Sequence, residues 1–177
     1  MRLPRPQVEG KVLGDAAHSS FADKRLGAAM VVEDDEHMRA LLVALLRQHG
    51  FETLIAVERI NQALEYLECK SIALAVIDLC LGDEDGTALI SAMRSHRRAE
   101  IQLIPIVAIS ATSTLPRVEQ AIAVGADAFI AKPFSVGSVQ RSVTSACVKR
   151  HLTTAPKQDV LDAIRLFDRR DSVLEID

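Results

Sequence analysis

The sequence predicts an α/β fold in which a parallel β-sheet carries helices on both faces. Short apolar runs alternate five times with amphipathic helical patterns along the chain, and such strict alternation is typical of parallel strands joined by helical crossovers. The runs are short and continuous, which suits parallel strands buried on both faces. Hydrophobic residues make up 49% of the 177 residues and aromatics only 3%. One domain with a sizeable, mainly aliphatic core is therefore expected.

The first two strand–helix pairs come early in the chain. Ala28–Val32 is an apolar run that stops abruptly at Glu33, and it predicts the first strand. The helix after it has apolar residues with helical spacing on one face: Met38, Leu41, Leu42, Leu45 and Leu46. Gly50 is a natural end for that helix. Phe51–Ala56 then predicts the second strand, and Asn61–Glu68 the second helix.

Three further pairs complete the pattern. The predicted strands are Leu74–Ile77, Ile104–Ile109 and Ala128–Ala131, and they run into Asp78, Ser110 and Lys132. A turn at Asp83–Gly86 follows the third strand. The predicted helices are Thr87–Ser95, Leu115–Val124 and a last helix with Val136, Val139, Val143 and Cys147 on one face. Ser135 is suited to N-cap that last helix.

The two ends of the chain lack this regular alternation. Residues 1–27 show no sustained hydrophobic period, and we expect a mostly disordered leader. The predicted domain covers residues 28–150, and residues 151–177 form a tail. In that tail the spacing of Val160, Leu161, Ile164 and Phe167 indicates one short amphipathic helix. We expect no DNA-binding output domain after Lys149.

Composition excludes several classes of function. A net charge of −3 gives no electrostatic attraction to nucleic acid or to an anionic membrane. The longest apolar runs, Leu41–Leu46 and Ile72–Ile77, are far too short to span a bilayer. The three cysteines have no metal-ligand spacing and no secretory signal precedes them, which favours reduced thiols. We therefore expect a cytoplasmic protein.

Polar residues stand where the predicted strands end. Glu33, Asp34 and Asp35 end the first strand, Asp78 the third, Ser110 the fourth and Lys132 the fifth. The ligand site of such a sheet lies outside the carboxyl ends of its strands. Clustered carboxylates repel one another, and Mg²⁺ suits a few carboxylates, waters and a phosphate. A carboxylate beside Mg²⁺ and a lysine can attack phosphorus to give an aspartyl phosphate.

Asp35 and Glu36 have a simpler interpretation. Carboxylates are favoured at the positive end of a helix dipole, so these two residues are better explained as the first turn of the first helix than as ligands.

Five segments together resemble the signature of the response regulator receiver family: 31–35 (VVEDD), 75–79 (AVIDL), 85–86 (DG), 105–111 (PIVAISA) and 125–134 (GADAFIAKPF). The resemblance covers about residues 28–150. It implies a flavodoxin-like, doubly wound sheet of five parallel strands in the order 2-1-3-4-5. It also implies a Mg²⁺-dependent phosphorelay switch.

The resemblance assigns a role to each site residue. Asp78 is the expected phosphoacceptor. Asp34 and Asp78 are expected to bind Mg²⁺ directly, Glu33 through water, and the backbone carbonyl of Cys80 as a further ligand. Ser110 is expected to hydrogen-bond the phosphoryl group, Lys132 to pair with it, and Phe129 to act as the aromatic switch.

The same resemblance names partners. The expected phosphoryl donor is a histidine kinase or a histidine phosphotransfer protein. Output is expected through contact with an unidentified downstream protein, and a homodimer is left open.

The sequence departs from the family pattern at two places. Gly82 stands where the family commonly has proline, and the segment Arg94–Gln102 is slightly long. The basic residues Arg94, Arg97 and Arg98 are expected at a solvated helix end.

Two other functions remain as alternatives. A Mg²⁺-dependent phosphohydrolase with a strand-end Asp nucleophile needs a second acid two residues later, where this chain has Cys80. A degenerate receiver that only binds partners has usually lost the acceptor, the lysine or the acidic pair, and all of these are present.

Overall fold

The computed structural model describes residues 27–154, with side chains described to residue 150. Residues 1–26 and 155–177 lie outside the described residues, and they hold nearly all of the predicted leader and tail, including the predicted helix around Val160–Phe167.

The described chain alternates strands and helices. The strands are β1 (Ala28–Val32), β2 (Leu54–Val57), β3 (Ile72–Asp78), β4 (Cys80–Leu81), β5 (Glu84–Asp85), β6 (Ile106–Ser110) and β7 (Ala128–Ala131). The helices are α1 (Glu36–Gln48), α2 (Ile60–Cys69), α3 (Gly86–Arg94), α4 (Ala99–Gln102), α5 (Leu115–Ala123) and α6 (Val136–Thr154).

Five strands form one parallel sheet in the order β2-β1-β3-β6-β7, and β4 pairs with β5 in a small antiparallel hairpin. When the five sheet strands are numbered among themselves, this order is the flavodoxin-like 2-1-3-4-5, and the prediction is confirmed. Because β3 is central, its carboxyl end lies between those of β1 and β6.

The core lies in two layers because side chains alternate between the two faces of a strand. Along β1, Met30 and Val32 face the layer under α2, α3 and α5. Ala29 and Val31 face the layer under α1 and α6. The large buried side chains are mostly aliphatic, as the composition predicts.

Several predicted boundaries were displaced, among them the start of the third strand, which is Ile72 rather than Leu74. The second strand begins at Leu54 rather than Phe51, because Gly50 turns the chain at φ 110° and Phe51 packs in the core beneath α1. The fourth strand begins at Ile106, after Pro105, which has no backbone N–H for a sheet ladder. The turn predicted at Asp83–Gly86 comprises Asp83 at the tip of the β4–β5 hairpin, β5 itself and the first residue of α3.

The expectation for Arg94 was wrong. Its side chain is only 15% exposed and donates to the carbonyl oxygens of Gly125, Gln102 and Ile104, and to the carboxylate of Asp127. The long segment after α3 forms the short helix α4, whose end supplies one of these carbonyls. Arg97 is 79% exposed, as expected for a solvated helix end.

Candidate functional site

Three carboxylates meet at the carboxyl edge of the sheet. Glu33 and Asp34 follow the end of β1, and Asp78 is the last residue of the neighbouring β3. The three residues each offer an oxygen, and these oxygens lie within 4.8 Å of one another. Glu33 and Asp78 are buried, while Asp34 is exposed. The topology thus forms the acidic cluster that the sequence predicted.

Lys132 reaches this cluster from the end of β7. Its Nζ donates to Asp78 Oδ2 at 2.6 Å and to Glu33 Oε2 at 2.8 Å. Burial lowers the pKa of Lys132, but the hydrogen bonds to Asp78 and Glu33 outweigh it and the pKa is raised. Lys132 therefore carries its charge between the two buried carboxylates.

Glu33 is held in an electrostatically unfavourable place. Burial raises the pKa of its carboxyl, and the negative charge of Asp78 raises it further, against the opposing effect of Lys132. One of its oxygens, Oε1, is buried without a hydrogen-bond partner among the described residues. A carboxylate oxygen buried without a partner is expensive, and a cation, or a water bound to a cation, would compensate it.

The donor set fits Mg²⁺ on these observations. Hard oxygen ligands, an exposed carboxylate at Asp34 and an unpartnered oxygen at Glu33 suit an ion that keeps several waters. A cation here would also offset the repulsion among the three carboxylates.

Of the remaining predicted site residues, Ser110 and Cys80 lie beside Asp78, and Phe129 lies on the edge strand β7. Ser110 ends β6 beside β3 and is buried, and its Oγ accepts from the Thr112 N–H at 3.1 Å. The backbone N–H of Cys80 donates to Asp78 Oδ1 at 3.0 Å. Phe129, on β7, is half-buried and packs against the apolar core.

The loop that follows Asp78 returns close to it. Asp85 N-caps α3 by accepting from the Thr87 N–H at 3.0 Å. At Gly86 a Cβ would lie 2.0 Å from the backbone oxygen of Asp78, so only glycine fits there. Helix capping thus explains the aspartate at position 85, and the lack of space for a Cβ explains the glycine at position 86.

The helical interpretation of Asp35 is confirmed. Its Oδ1 accepts from the Met38 N–H at 2.7 Å and N-caps α1. Glu36 is the acidic residue in the first turn of that helix.

Two arginines near the site were missed by sequence reasoning. Arg39 donates to the carbonyl oxygens of Glu33 and Asp34 and fixes the backbone of the acidic pair. Arg117 lies in the first turn of α5 and donates to Leu79 O and to the Asp85 carboxylate. A cation in the first turn of a helix is unfavourable because that end of the helix dipole is positive. This mismatch was the available sequence signal that Arg117 has an acceptor outside α5.

Within residues 27–154, none of the helices has the length and apolar character needed to cross a membrane.

Residues 29–144 match the family model described as the response regulator receiver domain. One curated relative is the transcriptional regulatory protein GltR of Pseudomonas aeruginosa, 28% identical over 135 residues, which are 75% of this chain and 53% of GltR. The chain thus spans about half the length of that relative.

Solved structures share the fold. A receiver domain protein from Methanospirillum hungatei described as CheY-like superposes with a TM-score of 0.64 at 20% identity, covering 72% of this chain and 98% of that one. A receiver domain of the sensor histidine kinase PA1611 from Pseudomonas aeruginosa gives 0.61 at 23% identity, covering 68% and 97%. The latter is described with a magnesium ion coordinated in its active-site cleft.

Proposed function

The chain belongs to the response regulator receiver family, and we propose that it is switched by transfer of a phosphoryl group to Asp78. Receivers of this family act in phosphorelay signalling. The observation that carries the residue assignment is the position of the Asp78 carboxylate, which is bonded by Lys132 at 2.6 Å and grouped with Glu33 and Asp34.

The proposed reaction is an in-line displacement on phosphorus. A carboxylate oxygen of Asp78 attacks the phosphorus of a phosphohistidine, a P–O bond forms, and the P–N bond breaks with its electron pair leaving on the imidazole. Lys132, already charged, stabilises the oxygens of the transferring group. The Ser110 hydroxyl, at the end of the neighbouring strand, is proposed to donate to the same group after its present contact with Thr112 is exchanged.

Mg²⁺ would be held by Asp34 and Asp78 directly, by Glu33 through water, and by the Cys80 carbonyl. When bound there, it would neutralise charge on the phosphoryl oxygens. The magnesium in the PA1611 receiver supports this assignment by analogy.

The proposed donor is a histidine kinase or a histidine phosphotransfer protein. Output is proposed to pass through contact with a downstream protein that reads the phosphorylated state. The aromatic switch is proposed to be Phe129, as membership of the family implies; Phe129 lies on β7 and lines a groove with Pro133 and Phe134.

The test is phosphorylation by a small donor. The full chain is incubated with acetyl phosphate and Mg²⁺ and weighed intact. Wild type should gain one phosphoryl group, which hydroxylamine removes, and Asp78→Asn should gain none. Asp83→Asn is the matched control, because Asp83 is an exposed carboxylate in the same loop. Modification of Asp78→Asn at the wild-type rate would refute the acceptor assignment.

The metal is tested in the same preparations. Mg²⁺ should raise the unfolding midpoint of wild type because it binds the folded cluster. The shift should disappear in Asp34→Ala and remain in Glu36→Ala, which removes an exposed carboxylate in the first turn of α1. An equal shift in Asp34→Ala would place the metal elsewhere.

A further inference from the structure

We propose that Arg117 is a positioning residue of the phosphoacceptor site, which acts through the peptide unit between Leu79 and Cys80. It holds that unit in the orientation that fixes the Asp78 carboxylate and directs the loop carrying the Cys80 carbonyl. This inference rests on the proposed function of Asp78.

The Arg117 guanidinium is held from several sides. Nη2 donates to Leu79 O at 2.9 Å and to Asp85 Oδ1 at 3.1 Å. Nη1 donates to Gln120 Oε1 at 2.9 Å and to Asp85 Oδ2 at 3.4 Å. The paired contacts with one carboxylate set the plane of the guanidinium, and its side chain is only 18% exposed.

Leu79 O and the Cys80 N–H belong to one planar peptide unit. Arg117 holds the oxygen side of this unit, and on the other side the Cys80 N–H donates to Asp78 Oδ1 at 3.0 Å. Rotation of the plane would break both hydrogen bonds. The position of Arg117 is therefore transmitted through a rigid unit to the acceptor carboxylate.

The contact with Leu79 is not needed to satisfy the backbone. Leu79 O already accepts from the Gly86 N–H at 3.2 Å, and Asp85 already caps α3 through Thr87. Arg117 also lies in the first turn of α5, where a cation opposes the helix dipole. These features favour orientation of the loop over simple pairing of buried polar groups as the role of Arg117.

The inference predicts a change in the metal site without any change in its ligands. Arg117→Gln should weaken Mg²⁺ binding by about tenfold, the loss typical of removing a group that orients a ligand. Calorimetry with MgCl₂ alone measures this affinity. In the metal-free protein the Cys80 amide resonance should shift, because its hydrogen bond to Asp78 is no longer fixed. Phosphorylation by acetyl phosphate at saturating Mg²⁺ should slow.

Two further variants make the experiment decisive. Arg117→Lys keeps the charge and one donor but loses the bidentate contact, so it should fall between wild type and Arg117→Gln in both Mg²⁺ affinity and the Cys80 resonance. Arg97→Gln removes an arginine whose side chain is 79% exposed, and it should match wild type. If Arg117→Gln does not fold, Arg117→Lys alone decides the question.

A purely structural arginine would give a different result. Substitution would lower the unfolding midpoint and leave the Mg²⁺ affinity as in wild type, whatever the Cys80 resonance does, and that result would overturn the inference. A wild-type protein that takes no phosphoryl group would overturn the proposed function instead. The metal affinity and the amide resonance need no phosphorylation, so the two failures are distinguishable.

Discussion

At the scale of single residues, the fold favours the charged form of Lys132 and disfavours the charged form of its partner Glu33. The pKa of Lys132 is raised, so the amine stays charged. The pKa of Glu33 is also raised, because burial and the charge of Asp78 disfavour its carboxylate. An ionised Glu33 carboxylate therefore lowers the stability of the folded protein, and the proposed metal site provides a reason for retaining the residue.

Glu33→Gln should stabilise the metal-free protein at neutral pH. Gln removes the disfavoured charge and keeps an oxygen that can accept from Lys132. The pKa of Glu33 in the folded protein lies above the ordinary 4.5, so the unfolded state releases this proton at a lower pH than the folded state. The free energy of unfolding therefore falls as the pH rises through that range. The advantage of Gln should therefore shrink below about pH 4.5.

Thermal unfolding in EDTA from pH 4 to pH 7 measures the difference between wild type and Glu33→Gln. Glu36→Gln, an exposed residue in the first turn of α1, is the control. A lower midpoint for Glu33→Gln at pH 7 would contradict the prediction. With Mg²⁺ present the difference between the two unfolding midpoints should narrow or reverse, because only wild type keeps both carboxylates of the acidic pair.

At the scale of the elements, the start of α3 is fixed by steric contact. Gly86→Ala would place a Cβ 2.0 Å from Asp78 O and 2.9 Å from the Leu79 Cα, both of them backbone atoms. We expect a loss of about 2 kcal/mol, in the range for overpacking a well-ordered contact. Urea unfolding measures this loss.

Gly137→Ala, a substitution in the first turn of α6, is the matched control. A Cβ there would meet only the Arg141 Nη1 at 3.2 Å and the Ser135 Oγ at 4.0 Å. Because glycine costs about 0.5–1 kcal/mol in a helix interior, this change should be neutral or stabilising. If both alanines had the same effect, the close approach of Gly86 to Asp78 would not be what fixes α3.

The order of the elements was predictable from the sequence, while several boundaries were not. Continuous apolar runs and helical spacing identify β1, β3 and β7 and the helices α1, α2, α3 and α5, because both patterns are local. The start of β2 depends on how Phe51 packs beneath α1, which is a tertiary contact. The β4–β5 hairpin has only two residues in each strand, too few for a period to be visible.

At the scale of the whole molecule, the topology explains how much of the site was predictable. Asp78 and Ser110 each end a strand and Lys132 directly follows one, and parallel strands bring such residues to one edge whatever the side-chain detail. Arg117 could not be predicted in the same way. It contacts Leu79, 38 positions earlier, through a long side chain whose direction depends on how α5 packs.

The opposite edge of the sheet has a polar cluster of its own. Asp127, just before β7, accepts from the Ile106 N–H at 2.8 Å and from Arg94 at 2.9 Å, and it pairs with Arg150 at 2.7 Å. These contacts join α3 on one face of the sheet to α6 on the other. Burial and the charge of Arg150 lower the pKa of Arg94 to about 10, against the opposing effect of Asp127. Asp127 thus compensates two arginines at once.

Asp127→Ala should therefore destabilise the whole domain. It leaves Arg94 and Arg150 without their shared counter-charge and removes the acceptor of the Ile106 N–H, and breaking a buried ion pair costs about 3 kcal/mol or more. Urea unfolding at pH 7 measures the loss.

Glu68→Ala is the control, because Glu68 also pairs with basic residues but its side chain is 44% exposed, and exposed pairs contribute little. Since Asp127 lies at the edge opposite Asp78, the Mg²⁺ affinity of the folded variant should equal that of wild type. An equal loss of stability in both variants would contradict the assignment of Asp127 as the residue that joins the two helical layers.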